Sequence, residues 1–180
     1  MTIDAAQLRR EIEDAFAAVP YPGDNSIVEH KCWECDLIAT KYKGKRWTDY
    51  KDCPLELIGP PISDAFPLFT PAAFRHYAPL AMLAAAESYM KADTLTEQFL
   101  RGIEPAQDDF TARRAARLAA FAPNELRALL SFLRFMKDNH PLDFNAGPSM
   151  FDVASLEKAI KTRLEGMEMR GENAPPRSKE

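Results

Sequence analysis

The chain is poor in the features by which many proteins declare their work. It holds three cysteines in 180 residues, an odd count and too few for a disulfide scaffold, which fits a reducing, cytoplasmic setting. It has no excess of positive charge. With a formal net charge of -4, it lacks the field that tight binding to nucleic acid or to an anionic membrane requires, so nucleic acid ranks low as a partner. It has no long apolar run either: the longest, Pro79 to Ala86, falls far short of the roughly 20 residues that cross a bilayer, and no membrane association is expected. The opening residues MTIDAAQLRREIEDAF carry charges throughout and lack the basic start, apolar middle and small-residue cleavage site of a secretory signal. A P-loop, a Rossmann glycine pattern, a nucleophile elbow and an H-E-x-x-H pair are all missing. Enzyme classes that carry such motifs are thereby removed, and no residue can be assigned a catalytic role.

What is present is the composition of an ordinary globular domain, 46% hydrophobic and 28% charged, rich enough in apolar residues to bury a core. Residues 1–168 are expected to form a single helical domain. Residues 169–180 are expected to be a flexible C-terminal tail, since Glu172 to Glu180 contains prolines and no large apolar side chain.

Apolar periodicity places the helices. Thr2 can cap a first helix with Leu8, Ile12, Ala15, Phe16 and Val19 on one stripe, ended by Pro20, Pro22 and Gly23. Ile27 and Val28 read as a short extended piece. A second helix is expected from about Cys32 to Tyr42, burying Cys35, Leu37, Ile38 and Tyr42 and stopped at Gly44. Residues 44 to 69 are too dense in proline and glycine for a long regular element and form a connection with short turns.

Thr70 and Pro71 open a third helix whose middle, Tyr77 to Ala86, is apolar all round and therefore central. Pro79 inside it predicts a kink near the Arg75 carbonyl. Thr94 and Glu97 have capping-box spacing and predict a fresh short helix ending at Gly102. Further helices are expected over Phe110 to Phe121, from Pro123 to about Asn139, and from about Phe151 to Met167. The fold class is mainly α: a single-domain helical bundle around a proline-kinked central helix, with a long irregular connection.

The runs GKRW at 44 to 47, FTPAAFRHYAPLAML at 69 to 83 and ELRALLSFLRF at 125 to 135 resemble an uncharacterised bacterial family, domain of unknown function 6714. The resemblance covers most of the chain to about His140, and the threonine-proline, phenylalanine-arginine, tyrosine and inner proline of the third helix are its most specific part. It implies no activity, catalytic residue or partner. Some members of that family share an H-x-C-x-E-C stretch like that of His30, Cys32, Glu34 and Cys35.

Four groups of residues could carry chemistry. His30, Cys32 and Cys35 form H-x-C-x-x-C, and Cys53 follows after a loop; thiolates and imidazole are the ligand set that a structural zinc ion prefers. The same pair, Cys32 and Cys35, at a helix start could serve redox chemistry, but thioredoxin-like motifs follow a strand in a βαβ unit and no such strands are expected. Small buried thiols are the plain alternative.

Lys41, Lys43, Lys45, Arg46 and Lys51 interleave with Tyr42, Trp47 and Tyr50, a mixture able to hold phosphates and stack bases, though an acidic chain favours solvated charges around an anchoring tryptophan. Arg75, His76 and Tyr77 flank the proline, where an enzyme pocket could form. His140, before Pro141, suits the carbonyls of a helix end. The leading expectation is a non-catalytic interaction or accessory protein acting on another protein. The alternatives are a small zinc-binding protein using His30, Cys32, Cys35 and Cys53, and an enzyme with a pocket near Arg75, His76 and Tyr77.

Overall fold

The computed structural model describes residues 3–60, 65–105, 110–144 and 152–171. Helix α1 (Ala5–Phe16) begins at Asp4, whose carboxylate accepts from Gln7 N at 2.7 Å. The cap expected at Thr2 lies outside the described residues, and Asp4 performs that role. Leu8, Ile12 and Phe16 are buried along one face of α1, which packs on two later helices, α4 and α6. After a short 3-10 turn at Asp24–Ser26, Val28 forms an isolated antiparallel bridge with Phe69. Glu29 N donates to Leu68 O, and Thr70 N donates to Ile27 O. These bonds fix residues 27–29 beside the entry to the central helix, and His30 follows directly.

Helix α2 (Trp33–Tyr42) is capped by Cys32 and followed by Gly44 at φ 69°, a left-handed position that glycine occupies without strain. Cys35, Ile38 and Tyr42 are buried as expected, but Leu37 is 48% exposed. Leu37 falls one residue off the face defined by the 35–38–42 spacing, so it turns outward with Trp33. The irregular connection holds a 3-10 turn at Trp47–Tyr50, helix α3 (Pro54–Ile58) and a 3-10 turn at Phe66–Leu68.

Helix α4 (Pro71–Arg101) starts where Thr70 Oγ1 accepts from Ala73 N. Tyr77, Leu80, Ala81, Met82, Leu83, Ala84 and Ala85 are all essentially inaccessible, and α1, α3, α5 and α6 pack around the helix. Two expectations fail here. The helix does not restart at Thr94, and its one departure from helical dihedrals is at Ser88 (φ -152°, ψ 56°) rather than beside Pro79. A proline ring already holds φ near the helical value, while a serine side chain competes with the helix for its own backbone groups. Glu97 pairs with Arg101 one turn on at 2.7 Å instead of capping a new start.

Helix α5 (Thr111–Ala119) leads into α6 (Pro123–Asn139), followed by the single turn α7 (Pro141–Phe144) and by α8 (Val153–Met169), which packs on α6. Helix α8 begins after Asp152, whose side chain accepts from Ser155 N, and it continues past the boundary drawn at 168. Residues 172–180 of the expected tail lie outside the described residues. One continuous apolar core runs from Leu8 to Met167, so the described chain is a mainly helical single domain. No helix of the described residues is long and apolar enough to cross a membrane.

Candidate metal centre

The bridge to Phe69 and the start of α2 place three ligand-bearing residues together. Cys32 is the last extended residue before α2, and its sulfur accepts from Cys35 N at 3.3 Å. A three-residue step across a helix start returns the chain to the same side, so the two sulfurs converge. His30 approaches from the bridged segment, with Nδ1 at 3.3 Å from the Cys35 sulfur. One ligand atom from each of His30, Cys32 and Cys35 lies within 4.8 Å of the other two. Tetrahedral zinc with bonds of about 2.0–2.3 Å brings its ligand atoms to about 3.6–3.8 Å from one another, so a small closure of this group is enough.

Burial pushes the Cys35 thiol up to about 11, helped by its hydrogen bond with Cys32. A thiol held that high keeps its proton at physiological pH. A divalent ion would displace the proton and take the thiolate. All three cysteines are unbridged.

Cys53 does not join this group. It sits at the start of α3 against a separate cavity lined by Asp52, Glu56, Glu87 and Ser88, and burial together with the Glu56 carboxylate raises its pKa. The intervening connection carries it to the start of α3 beside Glu87 and Ser88 of α4, outside the convergent group.

Arg75, His76 and Tyr77 are engaged by the structure itself. Arg75 clamps Glu125 through Nε at 2.7 Å and a terminal nitrogen at 2.6 Å, and Glu125 also accepts from Ala122 N, tying α4 to the start of α6. Buried His76 accepts from Trp47 N through Nε2 at 3.2 Å. Burial lowers its pKa to about 4, against the smaller opposing pull of the Pro20 and Val19 carbonyls. Its Nδ1 makes no well-aligned hydrogen bond among the described residues. Tyr77 donates toward the Lys45 and Tyr42 carbonyls, and burial raises its pKa.

Trp47 and Tyr42 are core residues, so they present no stacking face to solvent. Lys51 pairs with Glu13 and Lys41 donates to the Gly59 carbonyl. His140 caps the end of α6 with its ring 4.2 Å from that of Tyr89.

Sequence reasoning missed a group of arginines. Arg101, Arg113, Arg114 and Arg117 line a cavity of about 400 Å3 that His30 also borders. The 113–114–117 spacing on one helix was the available signal, but arginine favours helices anyway and the facing wall comes from distant parts of the chain.

The architecture thus defines a helical bundle with a His-Cys-Cys group at one helix start. Comparison with protein-family models, curated proteins and solved structures found no match to this chain.

Proposed function

We propose that the protein is a non-catalytic accessory protein that holds zinc through His30, Cys32 and Cys35 and contacts another protein beside that site. The observation carrying this reading is the convergence of the three ligand atoms within 4.8 Å. Borderline-soft nitrogen and sulfur ligands favour zinc over calcium or magnesium, which take oxygen. Trp33 and Leu37 support the contact surface: they lie one helical turn apart on α2, 75% and 48% exposed, Trp33 directly after Cys32 and Leu37 two residues after Cys35. Exposed tryptophan is a favoured anchor of protein interfaces. The non-catalytic part rests on Arg75, His76 and Tyr77 of α4, which are engaged in structural bonds. Membership of the family of unknown function 6714 belongs to the same proposal and brings no activity with it.

Protein purified without added metal, then reconstituted with zinc and passed through a desalting column, is expected to retain one ion per chain by elemental analysis. Cobalt substitution is expected to give thiolate-to-cobalt charge-transfer absorption. Substoichiometric zinc and no thiolate band would overturn the reading.

A further inference from the structure

The arginine-lined cavity adjoins the His-Cys-Cys group at His30 and calls for its own ligand. Its wall is assembled from the end of α4 (Gln98, Arg101 and Gly102), from Phe110 and the half-buried to buried arginines of α5, from the Pro67–Leu68 turn and from His30. Gly102 is required there because a Cβ would lie 2.4 Å from a ring carbon of Phe74, so the helix end approaches the core ring closely. The floor is Arg117, which is 2% exposed. Its guanidinium donates to the Pro67 and Phe69 carbonyls at 2.7 and 2.8 Å and lies over the Phe74 ring at 5.1 Å. Its Nε is buried with no hydrogen-bond partner among the described residues. A buried donor left without an acceptor is costly, and an anion reaching the cavity floor would supply one.

Charge and shape narrow the ligand. The lining carries four arginines and, among the described residues, no aspartate or glutamate, although the chain as a whole is acidic at -4. Arg101 and Arg113 are steadied by ion pairs from their Nε atoms to Glu97 and Glu29 at 2.7 and 2.5 Å. A guanidinium has five N–H donors, more than one such pair consumes, and its planar fork matches phosphate oxygens. Besides Gln98, Gly102 and His30, the wall is apolar or aromatic: Pro67, Leu68 and Phe110, with the Arg113 guanidinium 5.8 Å from the Phe110 ring centre. The volume is in the range of small-molecule sites. Guanidinium groups from two helices, around one apolar wall, suit a group with three acceptor oxygens better than a two-oxygen carboxylate.

We infer that this cavity binds a small phosphate monoester carried on a compact aromatic or apolar body, with the phosphate among Arg101, Arg113, Arg114 and Arg117 and the body against Leu68 and Phe110. The inference does not require a metal at His30, and the test uses metal-free protein so that the two readings fail separately. The probes are phenyl phosphate, inorganic phosphate and benzoate, each titrated calorimetrically into the full chain. Phenyl phosphate is expected to bind saturably, at least tenfold more tightly than either other probe, and more weakly as salt is raised. Arg113→Gln and Arg101→Gln are each expected to weaken it at least tenfold without moving the unfolding midpoint by more than a few degrees. Arg101, at the exposed end of α4, is the second variant should the loss of the Glu29 pair disturb folding in the first. Arg117 is left intact because it holds the Pro67–Phe69 turn. The inference is overturned by absence of saturable phenyl phosphate binding, by equal affinity for benzoate or inorganic phosphate, or by unchanged affinity in Arg101→Gln.

Discussion

The middle of α4 and the start of α2 both gather polar side chains, and each includes a buried group with a displaced pKa, His76 in one and Cys35 in the other, yet the two regions are different kinds of object. At Arg75, His76 and Tyr77 most of the polar atoms end on other protein atoms: a carboxylate of α6, a backbone N–H of the connection and two backbone carbonyls. At His30, Cys32 and Cys35 the ligand atoms point toward one another. A displaced pKa reports burial in either place, as the lowered His76 and the raised Cys35 both show. Convergence of ligand atoms on one another is what separates a candidate site from a satisfied core.

The sharpest way to break this comparison is to remove Arg75. The Glu125 side chain is 3% exposed, and taking away its partner leaves a buried carboxylate, which costs about 3 kcal/mol or more. Arg75→Ala is therefore expected to lower the urea midpoint strongly while zinc stoichiometry per folded chain is unchanged. A midpoint within error of the parent would mean that the pair is dispensable and that Arg75 is available for another role.

His76 gives the next largest effect. Its folded pKa of about 4 lies below the ordinary histidine value of 6.5, so the unfolded chain binds the proton more readily. Stability from the neutral ring is full above pH 6.5 and is lost as pH falls toward 4, by roughly 3 kcal/mol at 1.36 kcal/mol per pH unit. The ring is also in edge contact with Tyr21 and Tyr77, and Arg46 and Asp49 act on it with opposite signs. His76→Gln keeps an acceptor for Trp47 N without titrating. The stability difference between parent and variant is expected to shift toward the variant between pH 6.5 and 4, and parallel pH profiles would show that His76 is not the sensor.

At the other region, Cys35→Ser is expected to weaken zinc at least 100-fold, beyond the usual 10–100-fold loss from an outer-shell change, a loss of about 3 kcal/mol or more. Cys53→Ser is expected to leave zinc affinity unchanged, because Cys53 stands apart from the group. Equal losses from the two changes would bring Cys53 back as a ligand.

Most of the fold was legible because burial follows local periodicity. The α1 stripe of Leu8, Ile12 and Phe16, the Thr70 cap and the all-apolar middle of α4 each depend on residues close in sequence. The His30–Cys32–Cys35 group was legible for the same reason, since its spacing spans one helix start. The failures involve contacts that spacing does not encode. Arg75 reaches Glu125 across 50 positions, and Arg117 reaches Pro67 across 50. Cys53 was a chemically apt ligand whose position depended on the path of an irregular connection. Leu37 belonged to the right helix and the wrong face.

Pro79→Ala should produce the smallest effect, and it tests why the long helix departs from regularity. An interior proline costs roughly 3 kcal/mol relative to alanine in a straight helix, but Pro79 is buried and its ring fills core space that alanine would leave empty. These terms oppose each other, so the net change in unfolding free energy is expected to be within about 1 kcal/mol, on the stabilising side if the ring packs loosely. A proline disturbs the helix toward its own N-terminal side, at the carbonyl four residues earlier, Arg75 here. The irregular residue is Ser88, nine positions in the other direction. The bend therefore belongs to the Ser88 region, where Glu87 pairs with Arg9 and Ser88 borders the Cys53 cavity. A loss of several kcal/mol in Pro79→Ala would reverse that assignment and make the proline the element around which the surrounding helices are fitted.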